Sequence, residues 1–173
     1  MSAARPPTDE DLDAAARRLG RALVKRHWQM AAAESCTGGL VGHVITQVSR
    51  SSDHFLGAVV SYSDLAKQEL LGVPGDLIDR VGAVSAEVAE AMTTGALDRF
   101  PAARLAVAVT GIAGPDGGSE EKPIGLTYVA AAIRDGAAIV ERHTWPHDRD
   151  GNKRASALAA LELAARVAAE PPA

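Results

Sequence analysis

The segment Met30-Ala-Ala-Ala-Glu-Ser-Cys-Thr-Gly-Gly-Leu-Val-Gly-His-Val-Ile-Thr-Gln-Val48 joins a short apolar run to a polar turn and then to a second apolar stretch. Met30 to Glu34 has the length and apolar character of a buried strand, and Leu40 to Val48 has the character of a helix. A strand that leads into a helix is a building unit of α/β proteins. The segment therefore predicts an α/β fold with a polar turn at the carboxyl end of a strand.

Further strands are predicted on the C-terminal side of this segment. Phe55 to Tyr62 is β-rich and continuously apolar, which predicts a central strand covered on both faces. Arg104 to Thr110 alternates valine with alanine and predicts a second central strand. Residues 124–132 and 137–145 are joined by Arg134-Asp-Gly136, which predicts a β-hairpin.

Predicted helices separate these strands, and a capping residue marks the start of each. They run from Thr8 to about Trp28, from Ser63 to Leu71, from Ser85 to about Phe100 and from Asp148 to about Ala169. Gly72-Val-Pro-Gly75 is expected to end the second of them. The order of elements predicts a single three-layer α/β/α domain over residues 1–173, with a mixed, mostly parallel sheet and a C-terminal β-hairpin. Residues 1–7 and 170–173 are expected to be frayed ends.

Composition and charge exclude several classes of protein. The 22 acidic and 18 basic residues give a net charge of −4, which excludes a broad electrostatic surface for nucleic acid. A lone cysteine excludes an internal disulfide and argues against a structural zinc cluster. No apolar run approaches the ~18 residues of a membrane span, and Met1-Ser-Ala-Ala-Arg-Pro-Pro7 lacks an apolar signal region. We therefore expect a cytoplasmic protein with neither a nucleic-acid nor a membrane partner.

Glu34-Ser-Cys-Thr-Gly-Gly39 is the first candidate site. Ligands of open α/β sheets bind at the carboxyl ends of strands, and N–H groups at a helix start can hold an anion or a developing oxyanion. Ser35, Cys36 and Thr37 each offer a nucleophile or a hydrogen-bond donor there. Ser35 or Thr37 can equally be a helix N-cap, and Cys36 can be a small buried apolar residue.

Tyr62 and Lys67 form the second candidate, at the end of another predicted strand and on the helix after it. If the two strands are neighbours in the sheet, Lys67 comes close to Ser35. A lysine in a dry cleft can act as a general base toward a serine once its pKa falls by roughly three units from ~10.4. The alternatives are a solvated helix lysine and an ordinary packed tyrosine.

The third candidate is the glycine-rich segment Thr110-Gly-Ile-Ala-Gly-Pro-Asp-Gly-Gly118. It follows a predicted strand, but it matches neither G-x-G-x-x-G nor a P-loop, so neither usual phosphate motif of nucleotide-binding proteins is present. The thirteen residues from Gly111 to Pro123 are long for a plain connecting turn. The backbone of this loop is therefore a candidate for wrapping a ligand, and a connecting loop is the alternative.

His147-Asp-Arg149, at the start of the last predicted helix, is the fourth candidate. An arginine there can hold a phosphate or a carboxylate through two hydrogen bonds, and a surface salt bridge is the alternative. Pro146 breaks any helix between His143 and His147, which argues against a zinc pair. The Asp-x-Asp-x-Asn run that begins at Asp148 lacks the glycine and glutamate of a calcium loop. We expect no metal site.

Together these segments resemble the C-terminal domain of the CinA family, the nicotinamide-nucleotide amidases of the PncC type. The matching segments are Ala33-Glu-Ser-Cys-Thr-Gly-Gly-Leu40, Ser52, Phe55-Leu-Gly-Ala-Val-Val-Ser-Tyr-Ser63, Lys67, Leu71-Gly-Val-Pro74, Gly82-Ala-Val-Ser85, Ala108-Val-Thr-Gly-Ile-Ala-Gly-Pro115, Lys122-Pro-Ile-Gly125 and Asp148-Arg149. The resemblance extends from about Leu12 to Val167, and the order of the motifs is far more specific than any one of them.

The resemblance implies an amidohydrolase that needs no cofactor. Its substrate would be a small nucleotide, nicotinamide mononucleotide, which it would convert to nicotinic acid mononucleotide and ammonia in a salvage step that feeds NAD synthesis. By the resemblance, Ser35 is the nucleophile, Lys67 its general base and Tyr62 a polar partner in the same network. Substrate contacts are implied for Thr37, Gly38, Gly39, Thr110, Gly111, Gly114 and Arg149. N–H groups that follow Ser35 would hold the oxyanion, and Arg149 would contact the phosphate.

Some residues depart from the family pattern, and other functions stay open. His147 stands where the family usually has glycine, and Asn152-Lys153 where it has valine and arginine, which weakens the assignment of Arg149 more than that of Ser35.

The chain is expected to be the stand-alone form, without the large N-terminal domain of many CinA proteins. The alternatives are a non-catalytic nucleotide-binding module of the same fold, a Cys36 nucleophile, and an amidase for another small ligand. Small α/β enzymes often pair symmetrically, so a homodimer is expected.

Overall fold

The computed structural model describes residues 5–170. Its elements are α1 (Asp9–Arg26), β1 (Met30–Glu34), α2 (Leu40–Gln47), a 3-10 turn (Ser51–Asp53), β2 (Phe55–Val60), α3 (Asp64–Leu71), α4 (Gly75–Val81), α5 (Ala86–Arg99), β3 (Leu105–Gly111), β4 (Leu126–Ile133), β5 (Ile139–Thr144) and α6 (Arg149–Ala169). Frayed ends were predicted for residues 1–7 and 170–173, and of these residues 1–4 and 171–173 lie outside the described residues. Within residues 5–170, no helix is both long and apolar enough to span a bilayer.

The strands of this range form one mixed sheet in the order β2-β1-β3-β4-β5. β1 pairs in parallel with β2 and with β3, whereas the pairs β3–β4 and β4–β5 are antiparallel. Parallel neighbours need a crossover connection, which the intervening helices supply, whereas β4 and β5 need only a tight turn. The predicted mixed sheet and C-terminal hairpin are therefore confirmed.

The position of β2 differs from its prediction. This strand ends at Val60 and lies at the edge of the sheet, so the central position predicted for residues 55–62 is wrong. Phe55 packs against one hydrophobic core and Leu56 against the other, and both side chains stay half-buried. A continuous apolar run indicates packing on two faces, but it carries no information on how many neighbouring strands pair with it.

The five predicted helices all form, and one further helix was missed. The segment Gly72–Gly75, expected only to end α3, leads directly into α4, whose N-cap is Pro74. The seven residues of α4 are too few to show a clear helical period.

Helices α1, α2 and α6 cover one face of the sheet, and α3, α4 and α5 cover the other. The side chains of β1 alternate between these two layers, with Met30 and Ala32 in the first core and Ala31 and Ala33 in the second. All four are 0% exposed. This confirms the three-layer α/β/α architecture. The turn after β1, which begins with Ser35, therefore lies at the carboxyl end of that strand, between the two helix layers.

Candidate active site

A cavity of about 260 Å³ opens at the carboxyl ends of β1 and β3. Its lining consists of Ser35 and Cys36 after β1, Tyr62, Asp64 and Lys67 after β2, Ala83 and Val84 before α5, residues 110–114, 116 and 117 after β3, and Arg149 at the start of α6. Parallel strands bring their carboxyl ends to one edge of a sheet, so segments that are distant in sequence converge there.

Ser35 and Lys67 are in direct contact at the base of this cavity. Lys67 Nζ lies 3.0 Å from Ser35 Oγ, and both side chains are buried. The pairing of β1 with β2 brings the two segments together, because Glu34 is opposite Val60 in the parallel register. Ser63 then caps α3, and Lys67 lies one turn into that helix with its side chain directed back toward the strands.

The surroundings of Lys67 favour an uncharged amine. Its side chain is 1% exposed, and its Nζ donates to the carbonyl oxygens of Ser61 at 3.0 Å and Tyr62 at 3.5 Å. Burial lowers the pKa of the Lys67 ammonium from its usual value, against a smaller opposing effect of Asp64. A neutral amine has two N–H bonds and one lone pair, so it can donate to both carbonyls and still accept the proton of Ser35 Oγ.

Tyr62 and Arg149 contact each other rather than the Ser35–Lys67 pair. Arg149 Nη2 donates to the Tyr62 hydroxyl at 3.0 Å, and Arg149 Nη1 donates to the carbonyl of Gly114 at 2.5 Å. The Tyr62 side chain is 61% exposed, and only its backbone carbonyl approaches Lys67. Tyr62 therefore forms the wall of the cavity, and Arg149 ties that wall to the glycine-rich loop.

Arg149 differs from the surface salt bridge that was its alternative interpretation. It forms no ion pair with any carboxylate of the described residues, and Asp148, beside it, serves as the N-cap of α6. Two of its five N–H donors are used in the contacts above, and the others are available to a ligand.

The three residues predicted from the glycine-rich loop lie in the cavity wall. Thr110 is buried and donates from Oγ1 to the carbonyl of Ala83 at 2.8 Å, so it links β3 to the segment before α5. Gly111 allows close packing, since a Cβ there would lie 2.8 Å from the carbonyl oxygen of Leu126. Gly114 has a φ of +85°, a conformation that favours glycine. These two glycines are required by the backbone path of the loop.

Thr37, Gly38 and Gly39 lie outside the cavity lining, and two of them bind Glu34. The fully buried Glu34 carboxylate accepts hydrogen bonds from Thr37 Oγ1 at 2.7 Å and from the Gly39 N–H at 3.0 Å. It also accepts from the N–H groups of Val41 at 3.1 Å and Gly42 at 2.8 Å in the first turn of α2. Glu34 therefore holds the turn that follows Ser35.

This turn presents two backbone donors next to Ser35. The Ser35 N–H donates to the carbonyl of Val109, and the Gly38 N–H donates to the carbonyl of Ser35. The hydrogen bonds among the described residues leave the N–H groups of Cys36 and Thr37 without an acceptor. Two unused N–H groups beside a serine hydroxyl are an arrangement that can hold a developing oxyanion.

A family model for the CinA C-terminal domain matches residues 12–168. The chain belongs to the CinA C-terminal domain family. A CinA-like protein of Geobacter sulfurreducens is 45% identical to it over 154 residues, which are 89% of this chain and 36% of that protein. A CinA-like protein of Mycobacterium sp. (strain JLS) is 48% identical over 84% of this chain and 34% of its own length. The chain thus spans about a third of the length of these curated relatives.

Other relatives have nearly the same extent as this CinA C-terminal domain. The nicotinamide-nucleotide amidohydrolase PncC of Enterobacter agglomerans is 41% identical over 148 residues, which are 86% of this chain and 90% of that protein. The crystal structure of the competence/damage inducible protein CihA from Agrobacterium tumefaciens matches with a TM-score of 0.86 and 37% identity, over 92% of this chain and 96% of the other. The resemblance indicated by the motifs is therefore confirmed.

Cys36 lines the cavity of this CinA C-terminal domain as a neutral thiol. Burial raises the pKa of the Cys36 thiol to about 12, so it is protonated near neutral pH. The thiolate is the nucleophilic form of cysteine. The alternative in which Cys36 attacks the substrate is therefore disfavoured relative to Ser35.

Sequence reasoning missed Glu34 as a structural residue and two aspartates as cavity residues. Asp64 was expected only at a helix start and Asp116 only within a loop, yet both line the cavity together with Lys67 and Arg149. The position of Glu34, a lone carboxylate between a buried strand and a helix start, was the available signal for its role. The cavity of this CinA C-terminal domain therefore presents two carboxylates as well as the Arg149 guanidinium.

Proposed function

We propose that this protein is an amidohydrolase that converts nicotinamide mononucleotide to nicotinic acid mononucleotide and ammonia. The observation that carries the proposal is the buried contact of 3.0 Å between Ser35 Oγ and Lys67 Nζ in the cavity. The name of the PncC relative, which shares nearly the whole extent of this chain, supports the choice of substrate. The Ser35 hydroxyl supplies the nucleophile and Lys67 the base.

In the acylation step, neutral Lys67 accepts the Ser35 proton as Ser35 Oγ attacks the carboxamide carbon. The carbonyl oxygen gains negative charge and is held by the N–H group of Cys36, which lines the cavity. The bond to nitrogen then breaks as the Lys67 ammonium returns its proton to the leaving group, which departs as ammonia. Lys67 rather than Tyr62 is assigned as the acid, because Lys67 Nζ contacts Ser35 Oγ directly whereas the Tyr62 hydroxyl accepts a hydrogen bond from Arg149.

In the deacylation step, water attacks the ester between Ser35 and the nicotinoyl group. Lys67 accepts a proton from the water and returns it to Ser35 Oγ as the ester bond breaks. The product is the carboxylic acid, and both residues regain their starting protonation states. The reaction needs no redox chemistry, and the atoms of one water molecule balance the loss of ammonia.

The charges of the cavity suit a substrate that carries both signs. Nicotinamide mononucleotide has a cationic pyridinium ring and an anionic phosphate. Asp64 and Asp116 complement the ring, and the unused N–H donors of Arg149 complement the phosphate. Lys67 Nζ already forms hydrogen bonds with Ser35 Oγ and with two backbone carbonyls, so it is poorly placed to bind the phosphate.

A substrate comparison tests this proposal. We expect the protein to release ammonia from nicotinamide mononucleotide with a kcat/KM at least ~10-fold higher than from nicotinamide riboside, which lacks the phosphate. Equal rates for the two compounds would contradict the phosphate contact of Arg149. Binding of the mononucleotide without ammonia release would instead indicate a non-catalytic binding module, and release from unrelated amides alone would indicate another substrate.

The activity is expected to depend on pH through Lys67. The amine must be neutral to accept the Ser35 proton, and burial lowers the pKa of the Lys67 ammonium below its usual value of 10.5. We therefore expect kcat/KM to rise with pH through the lowered pKa and to reach half of its plateau value below pH 10.5. A rate that begins to rise only near about pH 10, where a solvated lysine titrates, would contradict a preset neutral Lys67.

A further inference from the structure

A second cavity, of about 460 Å³, lies at the opposite end of the sheet from Ser35. One wall is the C-terminal half of α1, and the other is the segment of residues 48–54 that leads into β2. His54 lies at its base, where its carbonyl accepts a hydrogen bond of 2.8 Å from the N–H of Met30 at the start of β1. We call it the α1 cavity.

The wall on α1 is a single stripe with helical spacing. It consists of Arg17, Gly20, Arg21, Val24 and Lys25. Arg17 is bonded to Asp13 at 2.7 Å, whereas Arg21 and Lys25 have no carboxylate partner among the described residues. The Val24 side chain between them is 54% exposed. The stripe therefore offers two unpaired cations beside an apolar contact.

The opposite wall contains a buried histidine without a hydrogen-bond partner. His54 is 5% exposed, and its Nδ1 is enclosed and unpaired among the described residues. Its ring packs against Gly20, where a Cβ would lie 3.1 Å from the ring. Burial lowers the pKa of His54, so the ring is neutral near neutral pH and carries one donor and one acceptor. Because Nδ1 is enclosed, it is out of reach of a ligand, and His54 contributes a packing surface to the cavity.

Positive charge is concentrated around this end of the molecule. A smaller hollow shares Val24 and Asp53 with the α1 cavity and contains Trp28. The guanidinium groups of Arg26 and Arg104 lie 5.2 and 5.8 Å from the Trp28 ring centroid. Asp53 is the acidic residue that lines the α1 cavity, and it pairs with Arg50 at 2.9 Å. A chain with a net charge of −4 thus has a basic surface at this end.

We propose that the α1 cavity binds a nucleoside monophosphate, with the phosphate held by Arg21 and Lys25 and the nucleoside packed against Val24 and His54. The volume lies in the range of about 300–1,000 Å³ that is typical for small organic ligands. Two cations without carboxylate partners match a phosphate dianion. An inorganic anion alone would leave the exposed Val24 side chain uncovered, so we assign the ligand a ring system as well as a phosphate.

The test is a titration of the ¹⁵N-labelled full chain with adenosine 5′-monophosphate, followed by amide chemical shifts. Adenosine and inorganic phosphate are titrated in parallel. We expect the monophosphate to shift the amides of Gly20 and of residues 48–54, and each part alone to bind there at least ~10-fold more weakly. These amides report on the α1 cavity alone, since nucleotide bound near Ser35 shifts a different set.

Two double variants distinguish direct contacts to the phosphate from attraction by the net charge of the protein. Arg21→Gln with Lys25→Gln is expected to weaken the binding at least ~10-fold, because both phosphate contacts are lost. Arg80→Gln with Arg142→Gln removes the same charge from exposed positions outside the α1 cavity and is expected to leave the binding unchanged. All four positions are exposed, and the spectrum itself verifies the fold.

Three results would overturn the proposal. The first is the absence of shifts at Gly20 and residues 48–54 with adenosine monophosphate up to roughly 10 mM, equivalent to less than ~3 kcal/mol of binding free energy. The second is equal weakening by the two double variants, which would indicate attraction by net charge. The third is an equal response to phosphate alone. None of these readouts uses catalysis, so the proposal stands or falls independently of ammonia release.

Discussion

We expect the Ser35→Ala variant to lose ammonia release from nicotinamide mononucleotide by roughly 10⁴-fold in kcat. Without Oγ no acyl intermediate can form, and Lys67 Nζ loses the group that it contacts at 3.0 Å. Substrate binding should change little, because the loop of residues 110–117 and Arg149 are untouched. The measurement is steady-state ammonia release together with a binding isotherm for the variant.

Ser61→Ala is the matched control for this experiment. Ser61 is also fully buried beside Lys67, but it contacts the Nζ through its backbone carbonyl, which alanine retains. We expect less than a ~10-fold loss in this variant. Equal losses in both variants would indicate disturbance of the Lys67 environment, and an unchanged rate in Ser35→Ala would rule out the serine mechanism.

The second large effect is expected on stability. We expect Glu34→Gln to lower the free energy of unfolding by roughly 2–4 kcal/mol. Oε2 of Glu34 accepts from Thr37, Gly39 and Val41, and Oε1 accepts from the Gly42 N–H at 2.8 Å. Glutamine keeps one acceptor oxygen, and its NH₂ group then faces a buried N–H donor. Urea unfolding at neutral pH measures the difference.

Glu162→Gln is the control for the charge itself. Glu162 is paired with Arg18 at 3.3 Å on the surface, and both side chains are about half exposed. Exposed pairs of this kind contribute little, so a change below ~1 kcal/mol is expected. Equal destabilisation by the two substitutions would contradict the role assigned to the hydrogen bonds of Glu34.

The layers of the fold and the Ser35–Lys67 contact could be predicted from the sequence. A serine and a lysine follow the ends of two predicted strands, and they come into contact if those strands are neighbours in the sheet. The contact between Tyr62 and Arg149 was not accessible, since it joins residues 87 positions apart across the mouth of the cavity. The edge position of β2 depends on what lies beside that strand, which its own residues do not encode.

Thr37 illustrates why residue type and position in the sequence did not distinguish a substrate-binding residue from a structural one. A threonine beside a nucleophile suits a substrate contact, but its Oγ1 is 2.7 Å from a carboxylate that the predicted strand buries. A buried carboxylate cannot form hydrogen bonds to water, so it accepts hydrogen bonds from the nearest donors of the protein. The burial of Glu34 therefore decides the role of Thr37, and burial at a strand end follows from the tertiary packing.

The three consecutive alanines of β1 have a consequence for how variation in this protein is interpreted. Ala31, Ala32 and Ala33 are 0% exposed and lie between helices on both sides of the sheet. A larger side chain there would displace a helix layer at a cost of about 1–3 kcal/mol and shift the strand that precedes Ser35. Substitutions at these positions would lower turnover although none of these three alanines lines the cavity. Sequence invariance at residues 31–33 would therefore reflect the close packing of two helix layers on the strand, and it would not indicate a catalytic role for these residues.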